Sequence, residues 1–136
     1  YPLNWLLMMI YWEQGRLEDA LDAYRKQLTA QGSSGLLAAL ERGYEDSGPS
    51  GAMRAVATQM ALESRERYID PFTIASRFAL AGETDRAFAW LGKALERGSL
   101  EMTYLSLRPD FDALRTDERF ADLLRRLALP EQPADE

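Results

Sequence analysis

The stretch that decides the fold is EQGRLEDALDAY, residues Glu13–Tyr24. A related stretch, LAGETDRAFAWL, occupies Leu80–Leu91, so that Gly15 aligns with Gly82 and the apolar positions that follow also align. The two glycines lie 67 residues apart (82 − 15). Helix-turn-helix repeats have units of about 34 residues, so this distance leaves room for one more unit between them. The sequence therefore predicts three consecutive helical hairpins.

Local signals place these hairpins at about residues 3–32, 35–68 and 70–98. In the first, Leu3, Leu6, Leu7 and Ile10 recur at helical spacing before the turn at Gly15. In the second, SGPSG at residues 47–51 predicts a break between two helices. The third begins at Asp70-Pro71, a capping aspartate followed by a proline in the first helical position. Gly82 and Gly98 are expected to end helices in the left-handed conformation.

Residues 99–129 predict a C-terminal cap for these hairpins. LEMTYLSL, at 100–107, is predicted to be a helix that Pro109 stops, and Thr116 is predicted to cap the helix TDERFADLLRRL. Residues 130–136, with two prolines and three acidic residues, are expected to form a flexible tail. No segment shows sustained alternation of apolar and polar residues, so the sequence predicts one all-α domain over residues 1–129.

The first unit resembles a tetratricopeptide repeat (TPR) over its full length. The matching residues are Leu7, Tyr11, Gly15, Leu17, Ala20 and Tyr24, and in the third unit Ile74, Ala75, Phe78, Gly82, Ala87, Leu91 and Ala94. Gln27 departs from the motif, which prefers alanine there. The resemblance implies a right-handed superhelix of about three antiparallel helix hairpins with a C-terminal capping helix.

Residues 68–129 are also similar to the C-terminal ends of TPR regions in bacterial signalling proteins. In that group such regions follow winged-helix regulators, nucleotide cyclases or protein kinases. The resemblance implies that this chain is part of a larger protein, whose upstream region carries the catalytic or DNA-binding function. It implies a cytoplasmic location, with the periplasm as the alternative.

Composition argues against several classes of function. The 22 acidic and 16 basic side chains give a net charge of −6, which disfavours binding to nucleic acid or to an anionic membrane. The apolar run Leu3–Trp12 is too short to cross a bilayer. The chain has no cysteine and no histidine, so thiol chemistry and the commonest general base are absent. We expect neither enzymatic activity nor a cofactor nor a metal site.

The predicted binding site is a row of side chains on the first helices of two hairpins. In a TPR, such positions line the concave groove, and here they are Trp5, Met9, Trp12, Phe72 and Ser76. An apolar groove of this kind takes a partner's helix or extended peptide. The alternative is that the tryptophans pack in the core or against an upstream repeat. A missing upstream repeat would leave the N-terminal hairpin open to self-association.

The segment RPDFDALRTDER offers a second candidate site. Its carboxylates, Asp110, Asp112, Asp117 and Glu118, could bind a divalent cation or act as a hydrolytic pair. The other ligands and the glycine of a calcium-binding loop are missing. We therefore favour the alternative that these residues cap short helices and pair with neighbouring arginines.

These observations predict a protein–protein or protein–peptide interaction module, whose acidic residues steer basic partners. The alternative is a ligand-sensing or regulatory domain that controls an attached effector domain.

Overall fold

The computed structural model describes residues 3–128, and within that range every regular element is helical and no strand is present. The prediction of an all-α chain is therefore confirmed for this range. The chain divides into two compact units, Tyr1–Arg67 and Tyr68–Glu136. The single domain over residues 1–129 stays a prediction. The predicted tail, 130–136, lies outside the described residues.

The first unit begins with an antiparallel pair of helices, α1 (Leu3–Glu13) and α2 (Leu17–Gln31). The chain reverses at Gly15, which has a φ of +77°, a backbone angle that glycine adopts at little cost in free energy and other residues avoid. Ala20 and Leu21 on α2 are fully buried. The ring of Trp5 on α1 meets that of Tyr24 on α2 edge-on, with 5.5 Å between centroids.

The face of α1 that is buried differs from the leucine stripe that the sequence offered. Trp5, Met8 and Met9 are buried, whereas Leu3, Leu6 and Ile10 are exposed. The buried set and the exposed set both have helical spacing, because α1 is apolar on nearly all sides. Tryptophan is the largest of these side chains, and Trp5 gains the aromatic contact with Tyr24 when this side is buried.

The helix α3 (Ser34–Glu63) is two helices joined at a sharp break. Ser47 and Gly48 have non-helical backbone angles, and Gly48 has a φ of +70°. Gly43 and Gly51, eight residues apart, would be about 12 Å apart along a straight helix. Instead, a Cβ built on either glycine would clash with the carbonyl oxygen of the other. The chain therefore folds back on itself, and the predicted break at residues 47–51 is confirmed.

The second unit begins with the helical pair α4 (Pro71–Leu80) and α5 (Thr84–Arg97). Asp70 caps α4 as predicted, because its Oδ1 accepts a hydrogen bond of 2.9 Å from the backbone N–H of Phe72. Gly82 and Gly98 have φ of +80° and +72° and end their helices as expected. The fully buried side chains between the two helices are Ile74, Ala75, Ala87, Leu91 and Ala94.

The C-terminal part of this unit differs from the prediction in two places. Residues Leu100–Leu107 form a 3₁₀ helix, not an α-helix, and a second 3₁₀ helix spans Pro109–Leu114. Buried residues recur every third position in each, Met102 with Leu105 and Phe111 with Leu114, which fits three residues per turn.

The last helix, α6 (Glu118–Ala128), is capped by Asp117 instead of Thr116. Asp117 directly precedes the first helical residue. Its Oδ1 can therefore accept a hydrogen bond of 2.9 Å from the backbone N–H of Arg119, the second residue of the helix.

Candidate functional site

Four of the five side chains predicted to line a groove are buried. Trp5 packs on Tyr24, Phe72 packs on Phe111 with 5.0 Å between ring centroids, and Met9 and Ser76 are also buried. Trp12 alone of the five is partly exposed. These positions favour the alternative that the row packs in the core, so a partner-binding surface has to be sought elsewhere.

Ser76 belongs to a buried polar network that joins α4 to the second 3₁₀ helix. Its hydroxyl donates a hydrogen bond of 2.6 Å to Oδ2 of Asp110, whose side chain is wholly buried. Arg108 donates to both oxygens of the same carboxylate, at 3.0 and 2.6 Å. Arg77 donates to the Ser76 hydroxyl at 3.1 Å. Both oxygens of the buried Asp110 carboxylate accept hydrogen bonds, so the network acts as a structural tie.

Two other carboxylates of this segment, Asp112 and Asp117, also pair with arginines. Asp112 lies 2.8 Å from Nε of Arg115, and Asp117 lies 3.0 Å from Nη2 of Arg119. Hydrogen bonds from Arg119 hold the pKa of Asp117 below its usual range. The predicted pairing with arginines is confirmed for Asp110, Asp112 and Asp117, and the predicted capping is confirmed for Asp117. Residues 3–128 contain no group of three side chains placed to hold a metal ion.

A polar pocket of about 360 Å³ lies in the first unit, where α3 begins and ends. Its lining includes Gly35, Glu63 and Arg67. Arg67 donates a hydrogen bond of 2.7 Å to Glu63, which lowers the pKa of that carboxyl. Because a carboxylate of the chain itself stands close to Gly35 at the start of α3, this pocket already contains a negative group.

An apolar cleft of about 300 Å³ lies in the second unit between the first 3₁₀ helix and α6. We call it the C-terminal cleft, and its lining residues are Met102, Thr103, Ser106, Leu124, Leu127 and Ala128. None of these side chains carries a charge. The tight 3₁₀ turn directs Met102 and Leu105 inward, and it leaves Leu100, Tyr104 and Leu107 exposed on the same segment.

The site predicted from the sequence does not include this cleft, although the sequence carries a signal for it. LEMTYLSL has five large apolar residues among eight, more than one buried stripe can hold. A surplus of this kind indicates that part of the segment faces solvent or a partner.

In comparisons with known proteins, no family model, no curated protein and no solved structure matches this chain. Within the described range, no helix has both the length and the apolar character needed to cross a membrane.

Proposed function

We propose that this chain is a protein-interaction module built from TPR-like hairpins, which binds an apolar side chain of a partner protein in the C-terminal cleft. The observation that carries the proposal is the cleft itself, an uncharged recess beside a segment with three exposed large apolar side chains. Soluble proteins rarely leave apolar surface clustered in this way unless it meets another molecule.

The hairpins support the TPR-like part of the proposal. Three pairs of helices follow one another, at residues 3–31, 34–63 and 71–97. Left-handed glycines turn the first and third pairs at equivalent positions, Gly15 and Gly82. A helical hairpin alone is too thin to bury its apolar stripe, and proteins of this class solve the problem by stacking hairpins and offering an extended surface to partners.

The chemistry of the cleft favours a peptide over a charged small molecule. Leu124 and Leu127 lie one helical turn apart on α6, a spacing that suits the i and i+3 or i+4 anchors of an amphipathic partner helix. Ser106 is exposed, and its hydroxyl can bond to a partner's backbone, whereas the hydroxyl of Thr103 already donates to the carbonyl oxygen of Leu100 at 2.8 Å. With a net charge of −6, the chain attracts basic partners over a distance, and the uncharged cleft takes their apolar residues.

The test is a selection of random peptides displayed on phage, with this chain as bait. Selected peptides are expected to carry apolar residues at helical spacing and to bind Leu127→Glu at least tenfold more weakly, because a carboxylate is then placed in the cleft. The control is Leu62→Glu, which makes the same change at an exposed leucine of α3. Peptides that bind both variants equally well, or a selection without enrichment, would refute the proposal.

A further inference from the structure

One exposed side of α5 carries a stripe of cationic and aromatic side chains. Its members recur at spacings of four, three and four residues, which places them along one side of the helix, and they are Arg86, Trp90, Lys93 and Arg97. The three cations are exposed and Trp90 is partly exposed. We call these four residues the α5 stripe.

Each cation of the stripe lies over an aromatic ring of the second unit. Measured from the charged group to the ring centre, the three pairs are Lys93 over Trp90 at 4.2 Å, Arg97 over Tyr68 at 5.0 Å and Arg86 over Phe78 at 5.8 Å. A ring attracts a cation and holds it in place, but it does not neutralise the charge. Because these side chains are already positioned, less conformational freedom is lost when an anion binds to them.

No carboxylate among residues 3–128 forms an ion pair with these three cations. Other cations of the second unit do form such pairs, and they are Arg108, Arg115, Arg119, Arg125 and Arg126. Glu96 is the neighbour of Arg97 in sequence, but successive residues of a helix lie about 100° apart around its axis. The stripe therefore presents three positive charges to solvent.

The charge of the stripe indicates an acidic partner, and its length indicates a short segment. From residue 86 to residue 97 the helix rises about 16 Å, which is the length of roughly five residues of extended peptide. Residues 68–128 hold nine basic and ten acidic residues, so this unit repels an acidic peptide much less than the net charge of −6 suggests. A nucleic acid would extend past the three cations and bring its phosphates near those acidic residues.

We propose that the α5 stripe binds a short acidic segment of a partner protein. Carboxylates of that segment pair with Arg86, Lys93 and Arg97, and an apolar side chain between them packs on Trp90. Arginine and tryptophan are among the residues that contribute most to binding at protein interfaces. None of the stripe residues lines the C-terminal cleft, so this inference is independent of the cleft as a binding site.

The probe for the test is a fluorescent glutamate-rich peptide that contains one leucine, titrated at about 50 mM salt so that charges are weakly screened. Lys93→Glu should weaken binding at least tenfold, because it replaces an attractive charge with a repulsive one. The matched control is Lys26→Glu, which makes the same change at an exposed lysine of α2 and should bind the peptide nearly as well as the parent. Circular dichroism of each variant shows that the helices are retained.

Fluorine NMR of a chain labelled with fluorotryptophan locates the binding site. The chain has three tryptophans, and Trp90 is the single one in the second unit. We expect its signal to shift with saturation while those of Trp5 and Trp12 stay in place. A parent chain that does not bind, a Lys93→Glu variant that binds like Lys26→Glu, or an unchanged Trp90 signal would overturn the proposal. So would a single-stranded oligonucleotide that displaces the peptide and binds more tightly, because the stripe would then be a nucleic-acid site.

Discussion

Replacing Gly43 with alanine adds one methyl group at the contact where α3 folds back on itself. The added Cβ would lie 2.7 Å from the Cβ of Ala55 and would clash with the carbonyl oxygen of Gly51. Ordinary contacts between carbon atoms are about 3.5–4.0 Å. A backbone carbonyl has no flexible end that can move aside, so the two helical segments have to separate.

The magnitude follows from two opposing terms. Overpacking costs about 1–3 kcal/mol, and we take the upper end because backbone must shift. Alanine regains about 0.5–1 kcal/mol over glycine inside a helix. The net loss is about 2 kcal/mol, which should lower the melting temperature of a unit of this size by about 8–16 °C.

Gly92→Ala is the matched control for this change. Gly92 lies inside α5, and a Cβ built there meets nothing within 4 Å. Only the propensity term applies, so this variant should be more stable than the parent by about 0.5–1 kcal/mol. Thermal and urea unfolding followed by circular dichroism measure both variants. A Gly43→Ala variant as stable as the parent would refute the close crossing at Gly43 and Gly51.

Three further predictions concern buried and paired polar groups. Asp110→Ala removes the shared acceptor of Ser76 and Arg108 and should destabilise the second unit by about 3–5 kcal/mol. The control, Asp112→Ala, removes an exposed ion pair and should change stability by less than about 1 kcal/mol. Equal effects of the two changes in urea unfolding would contradict the buried tie. Gln27→Met should stabilise the first unit by about 1 kcal/mol, because Oε1 of Gln27 is buried without a hydrogen-bond partner among the described residues. A melting temperature below that of the parent would contradict this prediction. The hydrogen bond from Arg67 lowers the pKa of Glu63 below its ordinary value of 4.5, so this pair stabilises the fold above pH 4.5 and ceases to do so as the pH falls through the depressed pKa. Melting curves at several pH values should therefore show a shallower acid-induced loss for Glu63→Gln, and identical slopes would argue against the pair.

The features that the sequence predicted correctly are those decided by a few neighbouring residues. Gly15, Gly82 and Gly98 adopt positive φ, which other residues avoid. The cap at Asp70 depends only on its own side chain and on the N–H two residues later. Such local signals place the ends of the helices without knowledge of the rest of the fold.

The features that it did not predict depend on contacts between distant parts of the chain. Asp110 can be buried because the hydroxyl of Ser76, 34 residues earlier on α4, donates a hydrogen bond to its carboxylate. The side of α1 that is buried is decided by α2, since both sides are apolar. The predicted groove of Trp5, Met9, Trp12, Phe72 and Ser76 rested on the register of the resembling repeat, and the packing within each unit buries four of these residues.

The most direct test of the proposed function uses the methionine methyl groups as probes. The chain has five methionines, and Met102 is the single one in the second unit, where it lines the C-terminal cleft. A phage-selected apolar peptide is titrated into a chain labelled at these methyls and followed by NMR. We expect the Met102 signal to shift with saturation while those of Met8, Met9, Met53 and Met60 stay in place. A peptide that binds and shifts the other four signals but leaves Met102 unchanged would contradict binding in the cleft.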